Sequence, residues 1–174
     1  MISVTGVRGG HGQTTVAIML ARTLAATRPV VLVTDDRDSV LAILGGADAG
    51  LLRIVDTLDE TNPNEFVIID GDTDADGAYH LAVLRGPSYL GLRALVKQTF
   101  TADGIVVLTE SDRALGLRDV TAVTGLPVVA TVPVTAAVAR ATDAGLLWYR
   151  PTDAFDDLAR SVLATFPIEE VAAV

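Results

Sequence analysis

Along the chain, short runs of apolar, β-rich residues alternate with longer stretches in which apolar side chains recur every three or four positions. The runs suit strands and the longer stretches suit amphipathic helices; their alternation predicts parallel strands joined by helical crossovers. Strands are expected at Ile2–Thr5, Val30–Thr34, Phe66–Asp70, His80–Leu84, Gly104–Thr109 and Val128–Val132. Several are almost wholly apolar, as strands buried on both faces of a parallel sheet must be. Helices are expected at Thr14–Ala26, Leu51–Leu58, Tyr89–Thr99, Ala114–Val123, Ala136–Ala144 and Asp153–Phe166. Pro29 and Pro127 stand just before strands, Gly125 follows a helix and Pro63-Asn64 marks a turn. With no internal repeat or linker, residues 1–174 are expected to form one α/β domain with a mostly parallel sheet between two layers of helices.

Composition narrows the classes. Half of the 174 residues are hydrophobic, enough for a substantial core. The absence of cysteine excludes disulfides and thiolate metal sites. No apolar run reaches the roughly 20 residues of a bilayer span, and Met1 leads directly into a strand without the segments of a secretory signal. A cytoplasmic protein is expected. In the tail from Asp153 to Val174, Asp153, Asp156, Asp157, Glu169 and Glu170 outweigh Arg160, which argues against docking on anionic lipid. There Leu158, Val162 and Phe166 predict a stripe packed on the domain. The net charge of −9 disfavours broad contact with DNA. Arg85, Arg93 and Lys97 around one helix, and Arg113, Arg118 and Arg140 elsewhere, are the candidate basic groups, and among twenty-two acids they read as a solvated face. Lys97 is the sole lysine; the other twelve basic side chains are arginine.

The segment Ile2–Ala21 carries the chemistry: an apolar strand, then Arg8-Gly9-Gly10-His11-Gly12-Gln13-Thr14-Thr15, then a helix. Glycines let a backbone turn tightly and aim successive N–H groups inward, and a helix N-terminus adds partial positive charge. The product is a cradle for phosphate. In the standard P-loop, a lysine after the last glycine reaches the β- and γ-phosphates and the next Ser/Thr hydroxyl ligates Mg²⁺. Here those positions hold Gln13 and Thr14, and Val7 stands in place of the first glycine. The alternative without a ligand is an ordinary strand-to-helix turn. His11 is expected to point to solvent, and His80 opens a strand with no partner nearby in sequence.

The loop resembles the deviant Walker A motif of the ParA/MinD superfamily, K-G-G-x-G-K-[ST]-T, with Arg8 at the early signature lysine and Gly9, Gly10, Gly12, Thr14 and Thr15 matching. The resemblance covers most of the chain and implies a three-layer, P-loop NTPase-like α/β fold. Val30–Asp38 resembles the second strand and its aspartates; it implies Asp36 or Asp38 as the residue orienting the attacking water, with Asp35 nearer the strand end. Phe66–Asp70 resembles the Walker B strand, making Asp70 the carboxylate that holds Mg²⁺ together with Thr14. Leu84–Leu95 and Val128–Gly145 resemble later segments in family order. The family's Pro-containing segment after the Walker B aspartate is replaced by Gly71-Asp72-Thr73-Asp74-Ala75-Asp76, which reads as a solvated acidic loop.

The resemblance further implies ATP/ADP and Mg²⁺ as cofactors, a homodimer in which Arg8 reaches across to the partner's nucleotide, and a protein partner in positioning or segregation machinery. Gln13 departs from the pattern. Loss of one close charge-assisted contact in a dry site costs about 2–4 kcal/mol, so binding is expected to outlast fast turnover. ParA-like relatives of the CpaE type and related small actinobacterial proteins often lack this lysine, in keeping with natural loss. Three functions follow: a nucleotide-binding positioning module with weak or absent hydrolysis, a slow ParA-type partition ATPase, and a structural pseudo-enzyme without nucleotide.

Overall fold

The computed structural model describes residues 1–46, 50–72, 75–97, 101–149 and 153–166. Seven strands form one parallel sheet: β1 Ile2–Gly6, β2 Val30–Thr34, β3 Leu52–Val55, β4 Phe66–Asp70, β5 Tyr79–Arg85, β6 Gly104–Thr109 and β7 Val128–Pro133. Their spatial order is β3-β2-β4-β1-β5-β6-β7, and every pairing is parallel. Among the described residues six helices accompany them: α1 Gln13–Leu24, α2 Arg37–Leu44, α3 Tyr89–Lys97, α4 Leu117–Thr124, α5 Ala136–Asp143 and α6 Asp153–Thr165. The order places β1 between β4 and β5, with the glycine-rich loop above the carboxyl edge of the sheet, where open α/β sheets place their ligands.

One predicted element is corrected. The helix expected at Leu51–Leu58 is strand β3, followed by a short 3₁₀ turn at Leu58–Glu60. Its apolar residues do recur at helical spacing. Four of its residues nevertheless pair in parallel with Val30–Val33 of β2, and β-branched Ile54 and Val55 suit that pairing. The helical crossover lies earlier, in α2, which the sequence reading missed. Asp36 caps its start by accepting from the Ser39 N–H at 3.2 Å, and Gly45 closes it in a left-handed conformation. The last two residues of the helix predicted at Tyr89–Thr99 lie outside the described residues, as do Thr73, Asp74, Glu169 and Glu170.

The two faces of the sheet are covered unequally. On one, Ile2, Val4, Leu32, Ile68 and Val106 meet α1, α2, α5 and α6 in the main core. Leu158, Val162 and Phe166 lie buried in it, and the Phe166 ring stacks on Tyr79 with centroids 4.6 Å apart. On the other face, α3 and α4 cover β5 and β6 through Leu92, Leu95 and Val120. Over β2, β3 and β4 there is only a small cluster of Val31, Val33, Val55 and Ile69 against Met1, Leu58, Val67 and Ala75. Between β4 and β5, which flank β1, no crossover helix lies among the described residues. Two polar side chains of β1 hold the residue that follows β4. Buried Ser3 and Thr5 both donate to the Gly71 carbonyl, at 2.8 and 3.3 Å. No helix of the described residues is long and apolar enough to cross a membrane.

Candidate functional site

Gly12 is the N-cap of α1 with φ 85°, and a Cβ there would come within 2.6 Å of the Leu108 side chain on β6. Only glycine meets both demands. Without a capping side chain, the first N–H groups of α1, from Gly12 to Thr15, have no acceptor within the helix. They stand at a cavity of about 470 Å³ lined by Gly6, Arg8, Gly9, Gly10, His11, Gly12, Gln13, Thr14, Thr15 and Arg85. Every loop residue expected to bind phosphate therefore borders one space. With the helix dipole aimed into it, that space suits an anion.

Gln13 borders this space, but its amide is bonded within the protein. Its Oε1 accepts from the Gly6 N–H at 2.7 Å, and its Nε2 donates to Asp70 Oδ1 at 2.9 Å. One amide thus joins the end of β1 to the end of β4. Asp70 is buried and also hydrogen-bonds the hydroxyls of Thr14 and Thr34, the latter at 3.5 Å. Burial dominates its electrostatics and pushes the Asp70 pKa above the ordinary carboxylate value; the Gln13 and Thr14 contacts oppose this, and the nearby Asp35 charge adds to it.

Asp35, Asp36 and Asp38 differ in their surroundings. Asp35 is the one whose charge acts on Asp70. The Asp36 carboxylate is engaged as the cap of α2, and Asp38 sits exposed in that helix's first turn. Arg8 is exposed at the cavity rim. His11 is half-buried rather than turned out to solvent: its Nδ1 accepts from the Arg85 N–H at 3.4 Å. Burial pushes its pKa down; a backbone hydrogen bond to Val83 and the Glu110 charge oppose this, and the Arg8 and Arg85 charges add to it, so the net shift favours the neutral imidazole. Among the described residues no cluster of three or more His, Cys, Asp or Glu side chains forms a metal site.

Arg85 is the site residue that sequence reading missed. It ends β5, and the β1–β5 pairing, with Gly6 beside Val83, brings it to the loop across 70-odd intervening positions. In the sequence it reads as one of a scatter of solvated arginines, and its place at the end of a strand, before a glycine, is the further signal.

No protein-family model matches the sequence, and no curated protein matches it either. Solved structures do resemble it. MinD from Pyrococcus horikoshii OT3, solved with Mg-ADP, superposes with a TM-score of 0.74 at 19% identity, covering 96% of this chain and 98% of that one. The chain has the fold of the MinD and ParA ATPases. The MinC:MinD cell division complex from Aquifex aeolicus gives a TM-score of 0.71 at 16% identity, with 94% and 95% of the chains covered. A ParA-family ATPase from Chlorobium tepidum TLS gives 0.62 at 14%, with 93% and 96% covered. In this shared fold, the Gly12–Thr15 cradle and the Asp70 carboxylate stand side by side at the carboxyl edge of the sheet.

Proposed function

We propose that the chain binds ATP or ADP in the Gly9–Thr15 loop and turns it over slowly or not at all, serving as a dimerising module that docks a protein partner. The observation that carries this reading is the Gln13 side chain, spent on Gly6 and Asp70 within the protein. A lysine there would bring a full positive charge to the γ-phosphoryl oxygens as charge redistributes over them; an amide tied at both ends brings none. The binding half of the site is otherwise complete, with backbone donors, the helix terminus and Thr15 facing one cavity.

The donor set also suits Mg²⁺. The Thr14 hydroxyl and the Asp70 carboxylate are hard oxygen ligands already in contact with each other, and a nucleotide's phosphates and water would complete an octahedral shell. When bound, the ion neutralises phosphate charge. Arg8, exposed at the rim, is the group proposed to reach a second copy's nucleotide, and Asp36 or Asp38 the one to orient water in any residual turnover. Tyr89 and Leu90 are exposed at the start of α3, just before Gly91, where an added Cβ would lie 3.9 Å from the His11 ring; this apolar pair beside the loop favours a dimer formed on that face.

Equilibrium titration with Mg-ATP and Mg-ADP, alongside turnover of the wild type, Gln13→Lys and Thr14→Ala, tests the reading. Nucleotide binding by the wild type, with turnover gained only in Gln13→Lys, is the expected result. Wild-type turnover well above that of Thr14→Ala would favour a slow ATPase, and absence of binding would leave a structural role.

A further inference from the structure

Arg85 belongs to a charged network that extends the cavity away from β4. Its Nε donates to Glu110 Oε1 at 2.7 Å, and the other oxygen of Glu110 accepts from Arg113 Nε at 2.9 Å. Glu110 follows β6, so the network spans the ends of β5 and β6. Gly86 makes room for it: a Cβ at that residue would come within 2.6 Å of Glu110 Oε2 and 2.7 Å of Arg113 Nε. The two arginines hold the Glu110 carboxyl below its ordinary pKa, Arg113 most strongly, so the carboxylate is charged throughout the neutral range.

The bond through Nε leaves both terminal nitrogens of Arg85 without an acceptor among the described residues, on a side chain 45% exposed that lines the same cavity as the loop. A guanidinium fixed at Nε presents its remaining N–H groups in a planar fork that matches phosphate oxygens. We propose that Arg85 is a phosphate-binding residue of this cavity, held by Glu110 as its positioning residue, and that it supplies from β5 the cationic contact that Gln13 does not supply from α1. The inference rests on the reading that the cavity takes the polyphosphate tail of a nucleotide. It assigns that tail a cationic contact from the same chain, separate from any charge Arg8 brings to a second copy.

The test is equilibrium titration of the full chain with AMP, ADP, ATP and inorganic tripolyphosphate, using the wild type, Arg85→Gln, Arg85→Lys, Glu110→Gln and Thr14→Ala. Arg85→Gln is expected to weaken ATP and ADP by about 10-fold, the lower end for a charge-assisted contact because the side chain is partly exposed. AMP should change least, since it reaches fewer donors. Arg85→Lys should restore part of the loss, Glu110→Gln should cost about 3-fold, and the salt dependence of ATP binding should flatten in Arg85→Gln. A purely structural Arg85 would weaken all ligands equally and leave the salt slope unchanged, which overturns the proposal. Unchanged binding in Arg85→Gln, with binding lost in Thr14→Ala, overturns it while leaving the nucleotide reading intact. If nucleotides fail to bind but tripolyphosphate binds in an Arg85-dependent way, the arginine site stands and the nucleotide reading falls; if tripolyphosphate fails as well, both fall.

Discussion

On the β4 flank of the loop, the Gln13 amide and the Asp70 carboxylate are tied to each other and to the β1 backbone. On the β5 flank, Arg85 is anchored at one nitrogen and open to the cavity at the others. The flanks are equidistant in topology, since β4 and β5 both neighbour β1. They differ in what their polar groups are free to do. A side chain whose hydrogen-bonding capacity is met inside the protein stabilises the loop, and one with donors left over is available to a ligand. The same cradle can thus keep anion affinity while losing the group that would speed phosphoryl transfer.

The largest effect should come from removing the cradle itself. Gly12→Ala forces a left-handed backbone onto a residue with a Cβ and drives that atom towards Leu108, at a cost of about 2–3 kcal/mol in stability. Chemical denaturation should register that loss, and nucleotide affinity should fall by more than about 100-fold; a variant as stable as the wild type would show that the loop relaxes freely. Next comes the β4 flank. Gln13→Lys should raise turnover by a factor of tens to several hundred, the converse of losing about 2–4 kcal/mol of transition-state contact. Arg8→Ala should leave single-chain affinity within about 3-fold while lowering the fraction of nucleotide-dependent dimer in sedimentation; equal loss of both would place Arg8 on its own chain's nucleotide instead.

The smallest effect concerns Asp70. Burial raises its pKa above the ordinary value, so the folded chain holds the proton more tightly than the unfolded chain does. The charged form therefore costs stability at neutral pH, and that cost disappears as pH falls through the raised pKa towards the ordinary carboxylate value. Asp70→Asn should raise the melting temperature by about 2–4 °C at pH 7.5 without nucleotide, and the gain should close at low pH. A loss of stability at pH 7.5 would mean that the hydrogen bonds from Gln13, Thr14 and Thr34 outweigh burial.

Much of this architecture was legible along the chain because local patterns carried it. Ile2–Thr5, the glycines, Thr14 and Thr15 and the apolar run ending at Asp70 each announce themselves within a few residues. Leu51–Leu58 misled because four residues cannot distinguish helical from strand spacing, and its pairing with β2 is a tertiary fact. The Asp36 cap and the Gly45-Gly46 end of α2 were readable signals that the functional interest of the aspartates obscured. The two contacts that decide the chemistry were beyond local reading. Gln13 and Asp70 are 57 positions apart, and Arg85 meets His11 across 74; only the order β4-β1-β5 brings them to one loop.

The central proposal is that the site holds nucleotide and turns it over slowly or not at all. The most direct measurement follows both in one sample: site occupancy by fluorescent ATP displacement and phosphate release under saturating Mg-ATP. The account predicts a filled site with release no faster than from Thr14→Ala. A filled site releasing phosphate at least ten times faster than that control would contradict it, as would a site that stays empty.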